Sequence, residues 1–292
     1  MESLQSGYQE IKNEISEECD YNMKAEFNGT DFDVTLRRNE LDLNKIPPEV
    51  FAREEFQEYP YRKLDFEKES YKRKITVQEL LKTCDEDLIR KVKKLGKFSF
   101  NYNFMKLTLR DDSKETFFYK EISRRRGQWL KEFGGIKIYR DNFFVRPYGV
   151  PGTDTFDWLG LDARRAKNPA AVSHPGGGWH VRNNQSQGTI LISRVQNEVL
   201  LDKSSREGII ENEYFTILKN VIISLIAVFE RDRAYIGRAL KLYNDEVNKV
   251  QRAKEEGKKS AEKWKAPEEK KAEEYTDQEK MARAIEIYEE ER

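Results

Sequence analysis

Between Phe215 and Val250 the residues Phe215, Leu218, Val221, Ile222, Leu225, Phe229, Ile236, Leu240, Tyr243, Val247 and Val250 recur at intervals close to three and four. That is the stripe of a long helix with one face to bury, and whatever the rest of the chain forms has to supply the cover. At about 1.5 Å per residue the segment from Leu218 to Val250 spans roughly 50 Å. A single compact domain rarely covers that length, so part of the stripe is expected to meet another helix or a second copy of the chain, which makes a homodimer the expectation. Past Val250 the stripe fails. Residues 251–292 hold 24 charged side chains, 11 basic and 13 acidic, interrupted by Pro267, and read as a solvated helical arm or a disordered tail.

Ahead of the stripe the period is mostly that of strands. Met23 to Phe27 and Phe32 to Leu36 alternate apolar and polar residues around Asn28-Gly29, a strong hairpin signal. Lys97 to Arg110 sets Phe98, Phe100 and Tyr102 against Met105, Leu107 and Leu109 and reads as one long strand or a bent hairpin. Ile136 to Arg140 and Phe143 to Pro147 turn about Asp141-Asn142, Thr189 to Arg194 is a further strand, and Phe117 to Tyr119 a short one. Helical spacing is expected over Thr76 to Thr83, Asp85 to Leu95 and Ser123 to Phe133, and Tyr8, Ile11 and Ile15 mark a short amphipathic helix or a frayed start. The chain therefore reads as α+β: a segment 1–20, a mixed-sheet domain 21–208, a long helix 209–250 and a charged arm 251–292.

Composition narrows the chemistry. Lys plus Arg and Asp plus Glu both number 53 in 292 residues, so no global field draws the chain onto nucleic acid or an acidic membrane, and any such binding has to come from a local patch. Cys19 and Cys84 have neither the number nor the spacing of a disulfide framework or zinc site, which suits a reducing compartment. His174 and His180 are too few for a histidine metal centre. The longest apolar run, Val221 to Phe229 broken by Ser224, is too short to span a bilayer, and Met1-Glu2-Ser3 opens no signal peptide. A cytoplasmic protein without a membrane or metal partner is expected.

Glycine is concentrated in one stretch: 10 of the 16 glycines lie from Gly134 to Gly208, where turns and close backbone approach are therefore clustered. Three runs stand out there: Gly-Gly-Ile-Lys-Ile-Tyr-Arg-Asp-Asn-Phe-Phe-Val-Arg-Pro-Tyr-Gly from Gly134 to Gly149, Asp-Trp-Leu-Gly-Leu-Asp-Ala-Arg-Arg from Asp157 to Arg165, and Leu-Asp-Lys-Ser-Ser-Arg-Glu-Gly from Leu201 to Gly208. Together they resemble the second, transducer domain of prokaryotic GHKL (Bergerat-fold) ATPases, the histidine kinase-like family related to DNA gyrase, MutL and the MORC proteins. The likeness is dense from Phe133 to Tyr214 and looser from Met23 to Gly127. It implies a mixed sheet with a left-handed βαβ crossover and a coiled-coil helix, coupled to an ATP-binding domain. The family's magnesium-binding Asn, Asp-x-Gly-x-Gly loop and glycine-rich lid do not precede Gly134; residues 1–133 contain no Asp-x-Gly. ATP and magnesium are thus expected only through a complementing ATPase domain, and the chain by itself is not expected to be catalytic.

The resemblance also suggests which side chains face that nucleotide. A transducer reaches the terminal phosphate with a polar or basic loop residue, and the loop from Gly176 to Gly188 is placed for this, with Arg182, Asn184 and Gln185 as candidates; the plainer reading is a hairpin whose polar residues face water. Arg140, Arg146, Arg164 and Arg165 with Asp141, Asp157 and Asp162 read as an ion-pair network or as phosphate contacts. Trp158 reads as a core anchor, and Arg206 and Glu207 as a structural turn feeding the long helix. A separate basic patch, Arg90, Lys91, Lys93, Lys94, Arg124, Arg125 and Arg126, near Phe98, Tyr102 and Trp129, is the alternative: a surface for nucleic acid, or a solvated face, on a non-enzymatic scaffold.

Overall fold

The computed structural model describes residues 18–109, 111–176, 178–203 and 208–263, and Met281. Its strands are β1 (Tyr21–Phe27), β2 (Asp31–Arg38), β3 (Ser70–Thr76), β4 (Phe98–Phe104), β5 (Gly135–Arg140), β6 (Phe143–Phe144) and β7 (Ser186–Ile192). The helices are α1 (Pro48–Phe51), α2 (Lys63–Glu67), α3 (Val77–Leu81), α4 (Glu86–Lys94), α5 (Asp111–Phe117), α6 (Arg126–Phe133), α7 (Leu161–Lys167) and α8 (Glu213–Lys263). The chain divides into two compact units after Leu242. The architecture is α+β with a mixed sheet and a long C-terminal helix.

The first hairpin forms as its turn chemistry dictates. Asn28 Oδ1 accepts hydrogen bonds from Thr30 N at 2.9 Å and Asp31 N at 2.9 Å, and Gly29 takes φ +102°, a conformation that strains any residue with a Cβ. Seven strands then line up as β3-β2-β1-β4-β7-β5-β6. All pairs are antiparallel except β5 with β7; these two are parallel, and α7 lies in the connection between them.

Alternation along the strands makes a two-faced sheet. Met23, Leu36, Phe100, Tyr102, Ile138 and Ile190 are fully buried on the inner face. The outer face carries polar rows set by register: Lys72, Thr35, Lys24, Asn101, Thr189 and Lys137 form one. In the next row Asn22 Nδ2 donates to Asn103 Oδ1 at 2.7 Å and Asn103 Nδ2 to Gln187 Oε1 at 2.6 Å, a side-chain amide ladder across three strands.

α8 starts where Asn212 Oδ1 accepts from Phe215 N at 2.9 Å, a side-chain cap, and lays its stripe on the inner face. Phe229 is its hub: ring centroids of Tyr21, Tyr102, Phe104 and Trp179 lie 5.0, 5.5, 5.2 and 5.9 Å away. Leu218, Val221, Ile222, Leu225 and Ile226 are each 0% exposed, and Ile236 and Leu240 are buried. Each such side chain contributes about 1.5–3 kcal/mol by leaving water. The stripe is thus packed with this chain's own sheet as far as Phe229, and Ile236 and Leu240 are buried within the same chain, which removes the reason for assigning that part of it to a second copy.

Other expectations need revision. β4 ends at Phe104 rather than running to Arg110: Met105 N donates to Gln185 O at 3.0 Å and Lys106 N to Asp20 Oδ2 at 2.5 Å, so the chain leaves the sheet there, and Met105 joins a small separate cluster with Cys19 and Leu130. Phe117 closes a helix, and Tyr119 makes only a single bridge with Leu41. β3 went unread because only Tyr71 and Ile75 of its seven residues are buried, a pattern that an edge strand tolerates. The segment at Tyr8, Ile11 and Ile15, and Arg206 and Glu207, lie outside the described residues.

Candidate functional site

α7 and the segment entering β7 meet beside α8, and one buried carboxylate organises them. Asp157 starts the arrangement by accepting from Leu161 N at 2.8 Å and Asp162 N at 2.9 Å, so it serves the orphan amides of α7. Burial pushes its carboxyl above the ordinary value, and the two amides oppose that shift. Asp162 Oδ1 in turn accepts from Asn183 N at 3.0 Å, and Asn183, itself 1% exposed, donates from Nδ2 to Phe156 O at 3.1 Å. The turn Asn183–Gln185 is further pinned by Ser186 Oγ, which donates to Arg182 O at 3.0 Å and lies 2.9 Å from Tyr102 Oη.

Glu230 of α8 holds the other side. Its carboxylate accepts from Val181 N at 2.9 Å and Arg164 Nη2 at 3.0 Å, and lies 3.0 Å from His180 Nδ1. The Glu230 side chain is 3% exposed. His180 Nδ1 also lies 3.2 Å from Arg164 Nη2, so the ring nitrogen sits between a guanidinium that can only donate and the Glu230 carboxylate. One buried acid therefore ties a loop backbone, a loop histidine and an α7 arginine to the long helix.

Two arginines here remain unneutralised. The Arg182 side chain is exposed and makes no hydrogen bond or ion pair among the described residues, and Asn184 is exposed beside it. Arg165 donates from Nη1 to Ala170 O at 2.5 Å; partial burial and then the charge of Arg182 depress its guanidinium. The expected phosphate-facing residues Arg182, Asn184 and Gln185 thus share one turn, with Arg165 close to Arg182.

The remaining expected site residues go elsewhere. Arg140 pairs with Asp202 and donates to Leu200 O at 2.5 Å, and Asp141 accepts from Arg194 N at 3.1 Å. Arg146 is exposed. None of Arg140, Arg146, Arg164 and Arg165 forms an ion pair with Asp141, Asp157 or Asp162: Arg140 and Arg164 take Asp202 and Glu230, and the three aspartates accept from backbone amides. Trp158, half-buried against the core, donates from Nε1 to Ile136 O at 2.7 Å and stacks on Phe215 at 5.6 Å.

The basic patch does not survive as one surface. Arg90 pairs with Asp87, and Lys91 Nζ lies 2.8 Å from Asp87 and 2.5 Å from Glu213. Arg126 is buried, with Nη1 2.8 Å from Asp20. α4 leads into β4, whereas Arg126 sits beyond its far end, about 20 Å away along seven residues at ~3.3 Å each. Lys93, Lys94, Arg124 and Arg125 are exposed but divided between those two ends.

Sequence reading missed Glu230, Asp232 and Arg233, all 5% exposed or less. The signal was present: after Phe229, positions three and four further on should continue the stripe, and both are charged. Among the described residues no group of three or more His, Cys, Asp or Glu side chains can hold a metal ion, and no helix is long and apolar enough to cross a membrane. No family model, curated protein or solved structure matches the chain.

Proposed function

We propose that the chain is the transducer portion of a GHKL-type ATPase, reading the nucleotide held by a complementing ATP-binding domain through Arg182, Asn184 and Gln185 and passing that state to α8. Support for this reading comes from the motif resemblance and above all from Glu230, which binds Val181 N, the amide directly before Arg182. A phosphate that draws Arg182 outward pulls on a backbone tied to the long helix, so loop position and helix position are coupled. Dimerisation through the helix beyond Leu240, where Leu242 and Val250 are 49% and 53% exposed, belongs to the same proposal. The nucleic-acid scaffold is the weaker reading because its basic residues are paired, buried or split.

The test is ATP turnover in a reconstituted pair of this chain and an ATP-binding domain. Arg182→Ala and Gln185→Ala are expected to lower turnover about 100-fold to 1,000-fold while changing nucleotide affinity little, since the interaction strengthens as charge develops on the transferring phosphoryl group. Unchanged turnover in both variants returns the turn to a solvated role.

A further inference from the structure

The run Glu230-Arg231-Asp232-Arg233 places four consecutive charges on α8, and three of them are buried and paired. Glu230 binds Arg164 and Val181 N, Asp232 accepts from Arg38 Nε at 2.9 Å and Tyr71 Oη at 3.0 Å, and Arg233 Nε donates to Glu40 Oε2 at 2.7 Å. The Arg231 side chain alone of the four is exposed and makes no hydrogen bond or ion pair among the described residues, and a second exposed arginine lies on the strand that α8 passes. Arg73 of β3 stands opposite Val34, on the inner side of the sheet, while its neighbours Lys72 and Lys74 pair in register with Thr35 and Asp33 of the outer side. Tyr71, on Arg73's side of the same edge strand, bonds Asp232, so α8 passes β3 at the residue next to Arg231. The Arg73 side chain likewise has no partner among the described residues. Partial loss of water and then the charge of Arg73 lower the Arg231 guanidinium from its ordinary value, although the side chain remains exposed. The third group is Tyr61, whose ring stacks on Tyr235 at 4.1 Å and whose hydroxyl has no partner among the described residues.

We propose that Arg73, Arg231 and the Tyr61 hydroxyl form a binding site for a phosphate-type dianion at the open edge of β3. Two guanidinium forks supply donors only and the phenol adds a hydroxyl that can donate, and the nearby carboxylates are already engaged: Asp232 by Arg38 and Tyr71, Glu230 by Arg164 and Val181 N. A tetrahedral dianion satisfies both forks and replaces repulsion between the arginines with two charge-assisted contacts. The site is independent of the turn that carries Arg182.

The full chain is titrated with inorganic phosphate at constant ionic strength, by calorimetry and by thermal melting, and in a second arm with adenosine monophosphate, which asks whether a phosphate carried on a nucleotide also fits. Phosphate is expected to raise the melting temperature. Arg231→Gln and Arg73→Gln are each expected to weaken its affinity about tenfold or more and, without phosphate, to melt at or above the wild-type temperature because a repulsion has gone. Lys241→Gln, an equal change in net charge at an exposed position, should leave the affinity unchanged. Absence of a phosphate-dependent shift, a shift retained by both arginine variants, or a loss of stability in those variants without phosphate would each overturn the site.

Discussion

Arg233 and Glu40, 193 residues apart in sequence, form a two-pronged ion pair, with Nε 2.7 Å from Oε2 and Nη2 2.5 Å from Oε1, and the Arg233 guanidinium lies 4.5 Å from the Trp179 ring centroid. Both side chains are about 5% exposed. Removing Glu40 leaves the buried Arg233 guanidinium without its carboxylate partner. Glu40→Ala is therefore expected to cost about 3–5 kcal/mol in denaturant unfolding, and the double variant Glu40→Leu/Arg233→Met is expected to recover most of it. A double variant as unstable as the single would show that the pair does more than neutralise itself.

Lys106 gives a pH signature. Its side chain is 16% exposed, its ammonium lies 3.1 Å from the Tyr119 ring centroid, and burial lowers its pKa to about 8, against opposing help from Glu40. The folded value lies below the unfolded one, so the associated stability is present above about pH 10.5 and is lost as pH falls through about 8. Lys106→Met is expected to stabilise the protein at pH 7 by at most about 3 kcal/mol and to flatten the stability profile between pH 8 and 10. A wild-type profile already flat across that window would refute the assignment.

The opposite slope belongs to Asp20, which burial and then the charge of Glu40 push up to about 6 despite its pairing with Arg126. A carboxyl raised in the folded state loses its contribution as pH rises through that value. Asp20→Asn should reduce the decline in melting temperature between pH 4 and 6; a steeper decline in the variant would contradict it.

Leu225 separates folding from association. It is 0% exposed within a single chain, so Leu225→Ala is expected to cost about 2–5 kcal/mol, and Leu225→Asp to abolish cooperative unfolding rather than to yield a folded monomer. Circular dichroism combined with light scattering distinguishes these outcomes, and a folded Leu225→Asp protein of halved mass would restore that residue to an interface.

What could be read from the chain follows its local physics. The Asn28-Gly29 hairpin, the Asp141-Asn142 turn, whose residues take φ +48° and +69°, and the start of the stripe at Phe215 were legible because neighbouring residues carry their signals. β3 was not, because an edge strand has only one partner to satisfy. The candidate site was half legible. Arg182, Asn184 and Gln185 were placed on one loop, but the groups that fix it lie far off in sequence: Glu230 is 49 residues from Val181. Pairing of this kind leaves no local spacing to read, and it is why Arg164 looked available when its guanidinium was already engaged.

The cover that α8 gives the sheet has a consequence for the order of assembly. During synthesis β1 to β7 emerge before the helix that closes their inner face, and the ties from Arg38 to Asp232 and from Glu40 to Arg233 wait for nearly 200 further residues. Contacts of such long range fold late and leave apolar strands open meanwhile. The nascent sheet is thus a natural client for a holding chaperone until residue 240 has been made, and a chain stopped at Asn212 is expected to collect in the insoluble fraction, where the chain extended to Leu242 does not.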